Sequence, residues 1–379
     1  MPTEAETAVM NEELSPEVTA SDREAFQEIT TTALTAEQAG RVRRASRVEP
    51  RQAEVLGVHW HPEFIPAALI AERMAAMFPH RQVELIIPTQ HNELLEWDDL
   101  AGVEIDCFST GFNRKVQLLA HFSGAKAARA DVLRSMLSHT REYRASQLFE
   151  LIDSMLEPRW EDRVRRAAAK TGAGPELVQF VRVHVSKLKR LLDEHLGELA
   201  HDMVKNKLVR NYLHAYRDRY PAELIGRAQV FVRAVKNIVK AQFSPSYFYR
   251  TEEIIEEVRG LGGGLVIPHP EQFWPILLAE YDMDGIEVWN PQSREYTEFL
   301  IHVVNQQNRA RHGRRLLTFM GDDTHFGEKV LPPAYQEPDK AGRELGLQPA
   351  WDEPAIRKGL CIAGVNRRNV IEEYRQRLG

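Results

Sequence analysis

Between residues 123 and 253 the chain carries no strand signal, while on either side it is built from short apolar runs of strand length. This break constrains the fold more than any other feature. Strands must pair to satisfy their backbone groups, so two strand-bearing blocks around a strand-free stretch point to one sheet system with an insertion. The first block has runs at residues 54–59, 83–87, 100–108 and 116–122, with helical spacing of Ile65, Leu69, Met74 and Met77 between the first two. The second has runs at 265–269, 285–290 and 316–320, after a helix predicted to start with Thr251 as N-cap and to stop at Gly260-Leu261-Gly262-Gly263-Gly264. The stretch between them is rich in Ala, Leu, Arg, Glu and Lys, with Leu188, Leu191, Leu192, Leu196 and Leu199 at helical spacing. Gly172-Ala173-Gly174-Pro175 and Tyr220-Pro221 punctuate it. The expected organisation is an α/β domain formed by residues 51–124 and 251–379, a helical insertion (cap or lid) at 125–250, and a polar, partly helical extension at 1–50. In that extension Ser21-Asp22 is read as the cap of a helix through Phe26 and Ile29, and a second helix is read around 35–46.

Length and charge exclude several classes. At 379 residues the chain is long enough for more than one domain, and its net charge of −6 argues against a general polyanion binder. Two cysteines, Cys107 and Cys361, make no disulfide framework. No apolar run reaches the length of a membrane span, and the acidic opening Met1-Pro2-Thr3-Glu4-Ala5-Glu6 lacks the basic and apolar regions of a signal peptide. The expected setting is the cytoplasm, with no membrane partner.

The runs end in metal-ligand side chains. His59 and His61 are two residues apart at the end of the first run, and Asp323 and His325 are two apart just past the last. In a strand, such pairs project to one face. His91 and His269 also sit just past apolar runs, and Glu104 lies inside Gly102-Val103-Glu104-Ile105-Asp106, where an unpaired carboxylate is costly to bury. Imidazole and carboxylate suit first-row divalent metals.

The order of these motifs resembles the polymerase-and-histidinol-phosphatase (PHP) family. His59-Trp60-His61 is similar to its His-x-His, and Pro88-Thr89-Gln90-His91-Asn92 to its Thr-Asp-His-Asn, with Gln90 in place of Asp. Gly102-Val103-Glu104 resembles its Gly-x-Glu, and Gly262-Gly263-Gly264-Leu265-Val266-Ile267-Pro268-His269-Pro270 its Gly-Gly and Ala-His-Pro. Gly285-Ile286-Glu287-Val288-Trp289-Asn290 resembles a strand reading Ile-Glu-Val-Tyr-Asn, and Gly321-Asp322-Asp323-Thr324-His325 resembles Gly-Ser-Asp-Ala-His. The resemblance covers residues 54–122 and 251–330. It implies a distorted TIM-like (β/α)7 barrel holding two or three divalent ions, zinc, manganese or iron. By that analogy His59, His61, Glu104 and Asp323 hold a first metal. Glu104 bridges to a second, shared with His269, and His91 and His325 face a third. Where the family has a further histidine this chain has Gln117, and His121 is the candidate to replace it. The acidic or His residue that the family places a few positions after His-x-His is not evident in Pro62-Glu63-Phe64-Ile65-Pro66.

Clustered divalent ions suit hydrolysis of phosphate esters by activated water. The expected function is a metal-dependent phosphoesterase acting on a small phosphorylated substrate, a mono- or diester and possibly a nucleotide, with Glu104, Asp323 and His325 carrying catalysis. Arg114, Lys115 and Arg294, with Lys329, are the candidate cations for phosphate oxygens. The insertion carries Arg163, Arg165, Arg166, Lys187, Lys189, Arg190, Tyr212, His214 and Tyr216. These are read first as solvated helix faces and second as a lid for a nucleotide or nucleic-acid end. Two alternatives stay open: a nuclease or proofreading phosphodiesterase, and a catalytically silent metal-binding module.

Overall fold

Apolar runs buried on both faces give the strands of this chain, and their lengths set where the ligand side chains emerge. A computed structural model describes residues 14–331, 333 and 336–379; the acidic opening of the chain lies outside the described residues. The chain divides into two units. One comprises Leu34–Thr140 and Pro245–Gly379, the other the segment ending at Ala33 together with Arg141–Ser244. The division falls within the helix Asp131–Leu156.

The first unit is mixed α/β. Its strands are β1 (Glu54–Gly57), β2 (Trp60–His61), β3 (Val83–Ile86), β4 (Leu95–Trp97), β5 (Leu100–Ser109), β6 (Arg114–Ser123), β7 (Gly264–Ile267), β8 (Gly285–Trp289), β9 (Leu317–Met320) and β10 (Thr324–His325). Six of them form a sheet in the order β4-β5-β6-β7-β8-β9; β1 pairs with β3, and β10 with β2. The pairings β4–β5, β5–β6 and β6–β7 are antiparallel, while β7–β8, β8–β9, β1–β3 and β2–β10 are parallel. Backbone bonds continue the neighbour relations past the strands. The Gly321 amide donates to Trp289 O (2.9 Å), Asp323 to His59 O (2.9 Å), Thr89 to Trp60 O (2.8 Å) and Glu104 to Gln90 O (3.1 Å). Hydrogen-bonded neighbours therefore run from β5 through β6, β7, β8 and β9 to residues 321–325, then β2, and through β1 and β3 back to β5. Strands β5 to β9 pack a core that includes Val103, Ile105, Leu118, Val266, Ile286, Val288 and Phe319. The helix that precedes β7 differs in detail from expectation. Arg250 is the N-cap of Thr251–Gly260; its amide donates to the Glu253 carboxylate (2.8 Å), while Thr251 is the first helical residue and is buried.

The other unit is helical, with Ala20–Thr30, Glu161–Thr171, Pro175–His195, Lys207–His214 and Ala222–Lys240. Leu177, Phe180, Val181, Leu188, Leu191 and Leu192 form the buried stripe of Pro175–His195. Leu196 falls in the following turn and is exposed. Gly172 adopts φ 68° as the C-cap of Glu161–Thr171, a conformation that a β-carbon would strain. Thr19, not Ser21 or Asp22, caps Ala20–Thr30; Asp22 reaches back to the Thr19 amide (2.7 Å) and closes a capping box.

Most of the basic and aromatic residues that suggested a lid are used internally. Asp22 receives Lys187 at 3.0 Å and the Tyr216 hydroxyl at 2.5 Å, with the Tyr212 hydroxyl 2.8 Å from that of Tyr216. Arg163 is buried against Ser154, Gln242 and Glu150. Arg165 and Arg166 pair with Asp162, and Lys189 with Asp153. No helix among the described residues is long and apolar enough to cross a membrane.

Candidate metal centre

His59 and His61 emerge where β1 passes into β2, and Asp323 and His325 where β9 passes into β10. The parallel pairing of β2 with β10 sets His325 opposite His61 and brings the two pairs side by side. Glu104 comes from β5, His91 from the segment bridged to it, and His269 from just past β7. Ligand atoms of three overlapping groups lie within 4.8 Å of one another: His61, His91 and His325; His59, Glu104 and His269; and His59, His61 and Asp323.

The distances define one continuous cluster. Asp323 Oδ1 lies 3.6 Å from His59 Nε2, 3.4 Å from His61 Nε2 and 3.4 Å from His325 Nε2. Glu104 Oε2 lies 2.5 Å from His91 Nδ1 and 3.7 Å from His61 Nε2, and Oε1 lies 3.3 Å from His269 Nε2. His61 is stacked between His91 and His325, at centroid distances of 4.3 and 4.2 Å. His59, His61, Glu104 and His269 are buried, whereas the His91 and His325 side chains are 30% and 22% exposed and mark the side open to solvent.

Electrostatics hold the two carboxylates and His61 in ligand-ready forms and favour a proton on His59, His269 and His325, which an ion would displace. Burial alone would raise Glu104 and Asp323. The histidines around them, His91 and His269 for the first and His325 and His61 for the second, instead hold both carboxyls well below the usual range. Burial, reinforced by His325 and His91, pushes His61 down to about 3, so it is neutral. Burial also disfavours charge on His59, but Glu287 outweighs it and pushes the imidazole up to about 10. His59 Nε2 and both nitrogens of His61 are buried without a well-formed hydrogen bond. Buried polar atoms left in this way are rare in native interiors. Anionic carboxylates and lone-pair nitrogens facing a common point fit a divalent cation.

A supporting layer fixes the cluster. Glu287, inside the apolar strand β8, lies 2.8 Å from His59 Nδ1, which directs Nε2 to Glu104 and Asp323. Its other oxygen accepts from the His269 amide (2.7 Å). A β-carbon at Gly321 would lie 1.5 Å from Glu287 Oε1, so only glycine lets this carboxylate reach His59. Arg343 donates to Asp323 Oδ2 (2.6 Å) and to its carbonyl (3.0 Å), and Gln292 donates to the same Oδ2 (2.6 Å), leaving Oδ1 for the histidines. Glu63 lies 3.3 Å from His325 Nδ1 and accepts from the Gly327 amide (2.6 Å). Glu63, Asn92, His269 and Asp323 all have positive φ, a costly backbone state that clusters at functional sites. Replacing Glu287 by Gln is expected to weaken divalent-metal binding by about 10- to 100-fold. Competition against a chelating dye, with circular dichroism as the folding control, measures this.

Several predicted residues lie elsewhere. His121 is buried away from the cluster, with Nδ1 2.8 Å from the Tyr374 hydroxyl and Nε2 3.0 Å from Val58 O; both nitrogens are engaged and neither is left for a metal. Arg114 pairs with Ser109, on the face of the β5–β6 hairpin opposite to Glu104, and is exposed. Lys115 shares the Glu104 face but pairs with Asp106 at 2.5 Å. Lys329 is buried and bonded to the carbonyls of Ala341 and Arg343 and to Glu344. Arg294 is exposed just past β8, its Nε donating to Pro291 O. Gln90, where the family that the motifs resemble has Asp, accepts from the Glu63 amide at 3.1 Å.

Sequence reasoning missed Glu63, Glu287, Gln292 and Arg343. Glu287 carried a readable signal, an acid within an apolar strand like Glu104. Gln292 and Arg343 carried none.

No family model matches this chain, and no curated protein does. Among solved structures the chain is similar to a "putative metal-dependent phosphoesterase" from Bifidobacterium adolescentis, with 18% identity and a TM-score of 0.41, over 82% of this chain and 96% of that one. Similarity at that level assigns no residue roles.

Proposed function

We propose that this protein is a metal-dependent phosphoesterase, with its site at the strand ends of a distorted TIM-like barrel of the kind that the PHP resemblance implies. One observation carries the reading: five histidines and two carboxylates on five segments converge in three overlapping, largely buried ligand groups. A structural role explains single buried histidines, as His121 illustrates. It does not explain seven such side chains together, with ring nitrogens of His59, His61, His91 and His269 buried and lacking a hydrogen bond.

His59, His61 and Asp323 would hold one ion, with Glu104 and His269 extending the site to a second and His91 and His325 lining its open side. Such ions, when bound, neutralise phosphoryl oxygens and lower the pKa of water toward neutrality. The chain's own residues fix the arrangement. Glu287 sets the orientation of His59, Arg343 and Gln292 hold Asp323 by one oxygen, and Glu63 steadies His325. Glu104, Asp323 and His325, the residues expected to carry catalysis, meet around His61.

Elemental analysis of the purified protein, joined to a phosphoester panel, tests the reading. Bound divalent metal with turnover is expected. Stoichiometric metal without turnover across the panel would replace it with the silent binding module. Arg343→Met is expected to lower turnover by about 10- to 100-fold, as loss of an outer-shell partner does; Arg343→Lys should recover part of that loss, read from kcat against KM.

A further inference from the structure

A buried ion cluster lies outside the three ligand groups and next in sequence to Arg343. Its members, Arg73, Glu344 and Lys329, are 3, 1 and 5% exposed. The Glu344 carboxylate accepts from Arg73 Nε at 2.8 Å, from Arg73 Nη2, and from Lys329 Nζ at 3.1 Å. Arg73 Nη1 donates onward to the carbonyls of Val42 (2.8 Å) and Arg44, at the end of the helix Ala36–Arg43. Lys329 Nζ donates to the carbonyls of Ala341 (2.7 Å) and Arg343 (2.6 Å).

These contacts converge on one residue. Arg343 directly precedes Glu344, and its Nη1 donates to Asp323 Oδ2 at 2.6 Å. The Glu344 side chain anchors the backbone just after Arg343, and Lys329 holds the Arg343 carbonyl. Arg73 belongs to the helix Ala67–Met77, and Lys329 to Gly327–Val330, which follows β10 and its ligand His325. Four parts of the chain are thus tied together at the point from which the Arg343 guanidinium reaches Asp323. Stability gives no reason for ions here, because apolar side chains of similar volume are often as stable or more so in place of a buried ion pair or triad. A bidentate arginine–carboxylate fork instead fixes direction as well as distance.

We propose that Arg73, Glu344 and Lys329 are positioning residues that set Arg343 on Asp323 and thereby tune the affinity of the centre for its ion. The assignment rests on the seven-residue cluster being a metal centre, as the phosphoesterase reading also does. Asp323 presents Oδ1 to the histidines while Arg343 and Gln292 occupy Oδ2. Arg343 does so from a backbone that the triad fixes. Loosening Glu344 lets the guanidinium withdraw, and Asp323 loses its preset orientation toward the ion. The triad also gives the helix Ala36–Arg43, whose sequence carries no obvious chemistry, a part in the site.

A double-mutant cycle on the full chain tests this, with zinc affinity measured by competition against a chelating dye and melting followed by circular dichroism. Glu344→Gln is expected to weaken zinc binding about 10-fold, and Arg343→Met about 10- to 100-fold. If Glu344 acts through Arg343, then adding Glu344→Gln to Arg343→Met should change the affinity by no more than about 2-fold, the error of additivity. Arg73→Lys keeps the charge and loses the fork; it is expected to fold and to weaken zinc binding by about 3-fold, again only where Arg343 is present. It carries the cycle if Glu344→Gln does not fold. Equal losses with and without Arg343 overturn the proposal. So does a triad variant that melts earlier but binds zinc as tightly as the unmodified chain, the mark of a purely structural role. Coupled losses in zinc affinity without turnover of any phosphoester support the triad and remove only the hydrolase reading.

Discussion

The double variant His59→Ala, Asp323→Ala is expected to lose metal and phosphoesterase activity together, the activity by about three orders of magnitude or more. The two residues belong to one ligand group, with His59 Nε2 3.6 Å from Asp323 Oδ1. Each also serves a neighbour: Asp323 Oδ1 faces His61 and His325, and His59 adjoins Glu104. Removing both deletes a positive and a negative partner at once. The remaining charges stay closer to balance than after either single change, and the fold should persist. Metal content by mass spectrometry, turnover, and the far-ultraviolet circular dichroism spectrum together decide it. A folded variant that keeps full activity sinks the proposed centre.

The largest effect on stability is expected in the helical unit, from Asp22→Ala. This change removes the capping-box acid, the partner of Lys187 and the acceptor for Tyr216. Breaking a buried charged pair from one side costs about 3–5 kcal/mol. Local stability of Pro175–His195, read by hydrogen exchange, should fall by about that amount. The pH dependence has a definite sign. Burial alone would raise the Asp22 carboxyl, but Tyr216, the Thr19 amide and Lys187 outweigh it and lower it from 3.8 to about 2. A group with a depressed folded-state pKa stabilises above its unfolded value, and that contribution is lost as pH falls. The Asp22 contribution is therefore complete above pH 3.8 and disappears as pH falls through about 2. In Asp22→Asn the stability of the same helix should vary less over that window. An unchanged slope would show that Asp22 is not the group responsible.

The strands were legible because their apolar runs are short, buried and bounded by turn residues. The helix boundaries were legible where glycine or proline forces them, as at Gly172 and Pro221. Caps were not, because Thr19, Ser21 and Asp22 all have the right chemistry and geometry alone chooses among them. The antiparallel pairing of β5, β6 and β7 was hidden for a similar reason: runs buried on both faces carry no alternation to set direction.

For the site, a polar side chain inside or just past an apolar run was the working signal. It brought forward the seven residues that converge, and it also brought forward His121, whose partners Tyr374 and the Val58 carbonyl are distant in sequence. Period two on β6 separates Arg114 from Lys115 by face, a distinction already present in the sequence. Glu63 sits in a loop at φ 54°, where no periodicity operates. Arg343 is an ordinary arginine until residues 343–348 fold against the turn that carries Asp323.

That last segment also governs when the site can form. Arg343 holds Asp323, while Gly346 and Gln348 hold the buried Asp322 beside it. His59 and His61 leave the ribosome long before any of these partners has been made. The earliest ligands of the cluster therefore wait for a closure of very long range, the kind of contact that forms slowly. Until residues 343–348 arrive, a nascent chain holds a histidine pair able to capture an ion but neither the arginine that orients Asp323 nor the amide groups that hold Asp322. Metal taken up at that stage would be held by a partial ligand set, so under the proposed function the choice among ions would be decided only once residues 343–348 have been made.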